Sequence, residues 1–317
     1  MKVVAMLGGL GSQMFKYAFY LALREQSEQE CLIDTAPFDS MEMWNGYELE
    51  RIFGIQEPDI KDLFSEEDRK RLETGNGYDR KVVLDALLRR DEEVYYYNRG
   101  LPVRYSNQGG LSGFWYKLSM VFAMKKIERG KCDVYPENYA TKNGSAYFDE
   151  FDHRSDEYFK EYRELVKKAF SFPAFEDEDN QKIAKKMQEG NSVALHVRRG
   201  DHMYDNGDLF QRGYYKKSVG YIKENTSEEQ TFYLFSDDLA WCLENLETLG
   251  LKETDKIIPI NWNHGESSFR DMQLMTYCQH NIIPISSFSW WGYYLSDNRD
   301  KIVCAPEGYW LDVEHHF

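Results

Sequence analysis

The sequence predicts an α/β protein made of two Rossmann-type layers with a cleft between them. Three observations predict it. The chain opens on strand, glycine turn, helix and strand, which is a βαβ start. The second half repeats short apolar runs separated by polar or helical segments, the pattern of a parallel sheet covered on both faces. The length, 317 residues, fits about two domains.

The elements follow in order. Residues 2–7 form a short apolar run, punctuated by Gly8, Gly9 and Gly11. From Gln13 onward, Phe15, Ala18, Phe19 and Ala22 fall at three- and four-residue spacings, which predicts a helix. CLID at 31–34 reads as the second strand. Residues 66–81 are charged and mix helix with loop. Residues 91–118 are aromatic and glycine-containing, with no clean period. Residues 156–172 read as an amphipathic helix with Phe159, Tyr162, Leu165 and Val166 on one face. Pro173 and the acidic run at 176–180 mark a boundary, giving an amino-terminal domain over 1–178 and a carboxy-terminal one over 179–317. Strands are expected at 192–197, 231–235, 256–260, 281–285 and 301–305.

Composition excludes several classes. The chain is 42% hydrophobic and 15% aromatic, so a large core is expected and general disorder is not. A formal net charge of -15 argues against non-specific nucleic-acid binding, which needs a basic face. The five cysteines are scattered, with no C-x-x-C pair, so neither a zinc site nor a redox dithiol is signalled. Free thiols in a reducing cytosol are the expectation. The apolar start is broken by glycines, Ser12, Gln13 and Lys16, and no cleavage site follows, so it is not read as a signal peptide. No run long enough to span a bilayer occurs.

Four stretches bear on chemistry. In GGLGSQ at 8–13, a strand leads through glycines into a helix, and unpaired N–H groups at such a turn can hold an anion. The dinucleotide fingerprint is only partly met: Gly9 and Gly11 fit, but Met14 takes the third glycine position. Tight-turn packing is an equal alternative, and Asp34 ends the next strand where a ribose-binding acid can sit. In VALHVRRGD at 193–201, alternation turns His196 away from the face of Val193, Leu195 and Val197. Arg198, Arg199 and Asp201 follow the strand's carboxyl end, where open α/β sheets bind ligands. Guanidinium suits bidentate phosphate binding. The alternative is a structural ion pair, but two adjacent arginines share one carboxylate poorly, so an anion site is favoured for at least one.

FSDD at 235–238 ends another strand. Asp237 and Asp238 can accept from guanine N–H groups or ribose hydroxyls, or one can simply cap the helix that follows. In SSFSWWGYYL at 286–295, Ser287, Phe288 and Ser289 open a helix whose start can hold a diphosphate; its tryptophans and tyrosines read as core. The D-x-D pair of Asp177 and Asp179 lies in the acidic run and reads as solvated charge rather than a metal site. The aromatic residues at 95–97, Trp115 and Tyr116 read as packing. Cys278, His264 and His280 have no supporting spacing and read as structural.

Together, GGLGSQMFKYAFYLAL, GYELERIFGI, HVRRGD, FSDD, FRDMQLMTYCQHNII and SSFSWWGYYLS resemble the bacterial-type α-1,2-fucosyltransferases of glycosyltransferase family 11. The match spans both ends and most of the second half, and is weak over 63–138. The resemblance implies a GT-B-like architecture, GDP-β-L-fucose as co-substrate, no cofactor and no metal, and inversion at the fucose anomeric carbon. The implied partner is a terminal galactose, modified at its 2-hydroxyl, on an oligosaccharide or lipid-linked glycan. It also implies Arg198 as the grip on the donor diphosphate and His196, Asp237 and Asp238 as nucleotide contacts. Ser287, Phe288 and Ser289 become further diphosphate contacts.

With Arg199, Gly9 and Gly11 added to that donor set, Ser12, Gln13 and Asp205 are expected on the acceptor side. Arg198 and Asp201 are the expected catalytic pair, with Asp205, Asp208 and His202 as other candidate bases. Two departures stand out: the family typically carries asparagine at the position of Ser12, and commonly ANSSFSWW where this chain has Pro284 and Ile285 before SSFSWW. A cytoplasmic enzyme, at most peripheral to the inner membrane, is expected. Two rivals remain: a glycan- or nucleotide-binding protein with a degenerate site, and a nucleotide-cofactor oxidoreductase built on the glycine turn. The second leaves the arginines unexplained.

Overall fold

A computed structural model describes residues 1–40, 45–74, 78–98, 101–106, 138–150, 155–200, 208–226 and 229–317. The chain divides into two compact units, Met1–Ser171 and Phe172–Phe317. Each unit is a sheet flanked by helices, so the α/β expectation holds for both halves.

The first unit carries strands β1 (Lys2–Ala5), β2 (Cys31–Asp34), β3 (Glu93–Asn98), β4 (Leu101–Ser106) and β5 (Ser145–Glu150). Its order is β2-β1-β5-β3-β4. All neighbours are parallel except β3 and β4, which form an antiparallel edge hairpin. Its helices are α1 (Leu10–Gln26), α2 (Ala36–Ser40), α3 (Leu49–Phe53), α4 (Glu66–Thr74), α5 (Arg80–Leu88) and α6 (Arg163–Ala169). Val3, Leu32, Val82, Val94 and Tyr147 share one core cluster of sheet and helix residues.

The first unit corrects three expectations. Helix α1 begins at Leu10, not Gln13, so Gly11 lies in its first turn. The stretch read without a clean period holds the hairpin, because apolar and aromatic side chains lie on both faces of β3: Val94, Tyr96 and Tyr97 are all buried. The amphipathic helix expected over 156–172 is shorter, a 3₁₀ turn at Lys160–Tyr162 and then α6. Phe159, Val166 and Phe170 are its buried anchors.

The second unit holds a six-stranded sheet in the order β11-β10-β9-β6-β7-β8, parallel at every pairing. Its strands are β6 (Ser192–Val197), β7 (Thr231–Ser236), β8 (Lys256–Pro259), β9 (His280–Ile282), β10 (Val303–Ala305) and β11 (His315–His316). Five were expected; β11 is too short to show a period. Helices α7 (Glu178–Glu189), α8 (Tyr214–Asn225), α9 (Leu239–Glu244), α10 (Phe269–Met275) and α11 (Ser287–Tyr294) accompany them.

Alternation along β6 divides the unit's core. Val193, Leu195 and Val197 enter one apolar cluster, while Ala194 enters another with Tyr233, Phe235 and partly buried Phe288. Each fully buried Val or Leu contributes roughly 1.5–3 kcal/mol. The acidic run is solvent-exposed over 176–179, as expected, and it also starts α7: Asp177 caps the helix, its Oδ1 accepting from the Asn180 amide at 2.7 Å. The aromatic helix is core, as expected. Trp290 and Trp291 are fully buried, and Trp290 donates through Nε1 to Asp312 at 3.1 Å.

Cys31, Cys242, Cys278 and Cys304 are free and buried; Cys132 lies outside the described residues. Burial pushes the Cys242 thiol up to about 11 and that of Cys304 to about 12. No helix among the described residues is long and apolar enough to cross a membrane.

Candidate functional site

The carboxyl ends of β6, β7 and β9 gather those of the second unit's expected site residues that are described. β6 lies between β7 and β9, so Arg198 and Arg199 emerge beside Asp237 and Asp238 on one side. The segment leading into α11 lies on the other. His196 is buried, and its ring centroid stands 6.1 Å from that of Phe288, joining the end of β6 to the start of α11.

Each arginine has its own carboxylate, so the ion-pair alternative is realised for both and the two need not share one. Arg198 Nη1 lies 3.3 Å from Asp237 Oδ2. Arg199 Nε donates to Asp238 Oδ2 at 3.1 Å. The guanidinium of Arg199 also lies 3.6 Å over the Trp241 ring, a cation–π contact. Arg199 is therefore engaged with the start of α9, and Arg198 is the more exposed of the two, 28% against 20%.

The two aspartates have different tasks. Asp238 caps α9: its Oδ1 accepts from the Trp241 amide at 3.2 Å, and its own amide donates to Ser236 Oγ at 3.0 Å. That is the capping alternative, and it coexists with the Arg199 pair. Asp237 holds backbone. Its Oδ1 accepts from the Arg199 amide and its Oδ2 from the Gly200 amide, both at 2.9 Å.

At the start of α11, Ser287 and Phe288 are half-buried. Ser289, expected to face a diphosphate, is fully buried, and its hydroxyl donates to the Ser286 carbonyl at 3.3 Å. Its side chain serves the first helical turn. The backbone N–H groups of that turn still lack intrahelical acceptors, as in any helix start.

The glycine turn of the first unit is built differently from a dinucleotide loop. Gly8 takes φ +93°, and a Cβ there would lie 2.8 Å from Ser12 Cβ, so Gly8 is the position where only glycine fits. Gly9 caps α1, its carbonyl accepting from the Ser12 and Gln13 amides at 2.9 and 3.0 Å. Gly11 is buried in the helix and Ser12 is half-buried. Gln13, expected on the acceptor side, is fully buried. Its Nε2 donates to the Gly8 and Gly46 carbonyls, both at 2.9 Å, and its Oε1 accepts from the Glu48 amide at 2.9 Å. It staples the turn to the segment before α3.

Asp34, a candidate ribose acid, is also fully buried. It accepts from the Tyr78 and Tyr147 hydroxyls and from the Ala36 amide. Burial holds its carboxyl up at about 6. Asp201, His202 and Asp205 lie outside the described residues, as do Trp115 and Tyr116. Asp208, at an exposed position, pairs with Arg212 at 3.3 Å. His280 accepts through Nδ1 from the Ile302 amide at 3.0 Å, a structural role.

One candidate escaped the sequence reading. Asp271 opens α10 and accepts from Asn263 Nδ2 at 2.7 Å. Asn263 in turn exchanges hydrogen bonds with Asn180 of α7. Burial raises the Asp271 carboxyl to about 7, a feature shared with groups that carry protons in sites. The signal was there, in FRDMQLM, but a carboxylate in a helix's first turn reads as ordinary dipole compensation.

A parallel sheet whose carboxyl edge gathers arginine, paired carboxylates and a serine-rich helix start is the arrangement at which open α/β sheets can hold an anion. Residues 123–314 match the family described as Glycosyl transferase family 11, and the chain belongs to that family: it is a glycosyltransferase. It is 26% identical over 322 residues to an α-1,2-colitosyltransferase of Escherichia coli, covering 98% of this chain and 93% of that one. It is 27% identical to the E. coli O-antigen biosynthesis glycosyltransferase WbnK, covering 94% and 91%. Mouse galactoside α-(1,2)-fucosyltransferase 2 is 34% identical over 124 residues, 37% of this chain and 34% of that one. Among solved structures, the fucosyltransferase NodZ from Bradyrhizobium superposes with a TM-score of 0.48 at 13% identity, covering 92% of this chain and 91% of that one.

Proposed function

We propose that this glycosyltransferase moves L-fucose from GDP-β-L-fucose to the 2-hydroxyl of a terminal galactose, with inversion and without a metal. The observation that carries the reading is Arg198 at the carboxyl end of β6, half-exposed and held by Asp237, on a strand that also touches the start of α11. The galactoside α-(1,2)-fucosyltransferases named among its relatives support the sugar and the linkage.

The chemistry is a single displacement. The acceptor oxygen attacks fucose C1 opposite GDP, the C1–O bond to the β-phosphate breaks, and negative charge grows on the departing diphosphate. Arg198 neutralises that charge, and the N–H groups at the start of α11 assist. Such preorganised donors act most strongly where charge develops. The acceptor proton leaves to a base, for which Asp201 is the proposed group.

A second reading concerns the donor alone. The α-1,2-colitosyltransferase matches nearly the whole chain, which favours a GDP-linked colitosyl donor in place of the fucosyl one. The test is incubation with each GDP-sugar and a panel of β-galactosides, with a chelator present, followed by linkage analysis. Fucosyl transfer to O2 in chelator supports the proposal. Preference for the colitosyl donor selects the second reading. Tight GDP binding with neither transfer nor donor hydrolysis would point to the degenerate binding protein instead.

A further inference from the structure

Asp237 sits where a nucleotide contact was expected, yet its bonds run into the protein. One oxygen holds the Arg199 amide, and the other holds the Gly200 amide. The second oxygen also faces Arg198 Nη1 at 3.3 Å. These are successive peptides, so one carboxylate fixes the plane of the chain directly after β6 and the guanidinium that precedes it. The residue that follows completes the fit. A Cβ on Gly200 would stand 2.8 Å from Asp237 Oδ2, closer than a carboxylate bonded to two amides can yield. Glycine at 200 and aspartate at 237 therefore form one unit.

We infer that Asp237 is a positioning residue. It splints the turn after β6, aims Arg198 at the leaving diphosphate, and does not read the guanine base. This rests on the diphosphate role proposed for Arg198. Two physical points favour it over base recognition. A carboxylate reading guanine accepts from both N1–H and N2–H, and here three of its roughly four acceptor sites already hold the Arg199 amide, the Gly200 amide and Arg198 Nη1. A carboxylate beside a diphosphate also repels it unless a cation stands between, and Arg198 is that cation.

The experiment combines binding and turnover for Asp237→Asn, Arg198→Ala, their double variant and Gly200→Ala. GDP and inosine diphosphate, which lacks the guanine 2-amino group, are the probes, and thermal unfolding confirms that each variant folds. Asp237→Asn should lower turnover roughly tenfold or more, the loss of charge-assisted bonds, and leave the preference for GDP over inosine diphosphate unchanged. Added to Arg198→Ala, it should cost less than about threefold more, because it acts through that arginine. Gly200→Ala removes no charge and should reproduce the same signature.

Collapse of the GDP preference in Asp237→Asn, losses that multiply fully with Arg198→Ala, or wild-type turnover in Gly200→Ala would each overturn the inference. If Arg198→Ala is impaired while Asp237→Asn behaves as wild type, only the positioning role fails. If Arg198→Ala itself binds GDP and turns over normally, the proposed function fails first.

Discussion

The Arg199 guanidinium lies 3.6 Å above the Trp241 ring while its Nε pairs with Asp238 at 3.1 Å. One side chain thus ties the turn after β6 to the first turn of α9. Arg199→Leu should lower unfolding stability by about 1–2 kcal/mol, the range for a partly desolvated cation–π contact. Its effect on donor KM should be smaller than that of Arg198→Ala. Chemical denaturation and donor titration measure the two effects separately.

Arg198→Ala should keep the fold and cut turnover by roughly a hundredfold or more, the cost of losing one preorganised donor at developing charge. The side chain is surface-accessible at 28%, so its removal leaves no large cavity. Steady-state kinetics beside a melting curve check both halves.

Asp34 makes stability depend on pH. Its folded carboxyl is raised to about 6 by burial, partly offset by its tyrosine and amide donors. The folded state therefore holds this proton more tightly than the unfolded chain does. Asp34 contributes most stability below the ordinary carboxylate value, and that contribution is lost as pH rises through about 6. The difference between about 6 and the ordinary carboxylate value corresponds to roughly 3 kcal/mol. Asp34→Asn should flatten this part of the stability curve, and unfolding measured from acid to neutral pH reads it directly.

Gly292 lets α10 and α11 pack closely. A Cβ there would stand 2.7 Å from Met275 Cβ, and Met275 is itself buried. Gly292→Ala should cost about 1–3 kcal/mol through overpacking. Adding Met275→Gly, which removes that Cβ, should recover part of the steric loss, so the pair should be non-additive. Equilibrium unfolding of the four members of the cycle tests this.

How much of this was legible depends on how each element is buried. Strands β6 and β7 were readable because parallel strands covered on both faces show as continuous apolar runs. The β3–β4 hairpin was not, because Tyr96 and Tyr97 point to opposite faces and both are buried, which erases alternation. The start of α1 was misplaced because glycines read as loop, whereas Gly11 is helical. At the site, the residue types and strand ends were visible in HVRRGD and FSDD. The pairing was not: Asp237 bonds residues 37 and 38 positions away, and only the fold brings them together. Gln13 looked like a cleft residue from its place beside the glycines, but its amide is committed to three backbone groups.

The central claim is that the Arg198 guanidinium neutralises the departing nucleoside diphosphate. A crystal of the protein soaked with GDP in chelator tests it most directly. The account predicts diphosphate oxygens within hydrogen-bond reach of Arg198, about 2.7–2.9 Å, beside the start of α11. GDP bound away from Arg198 would contradict it.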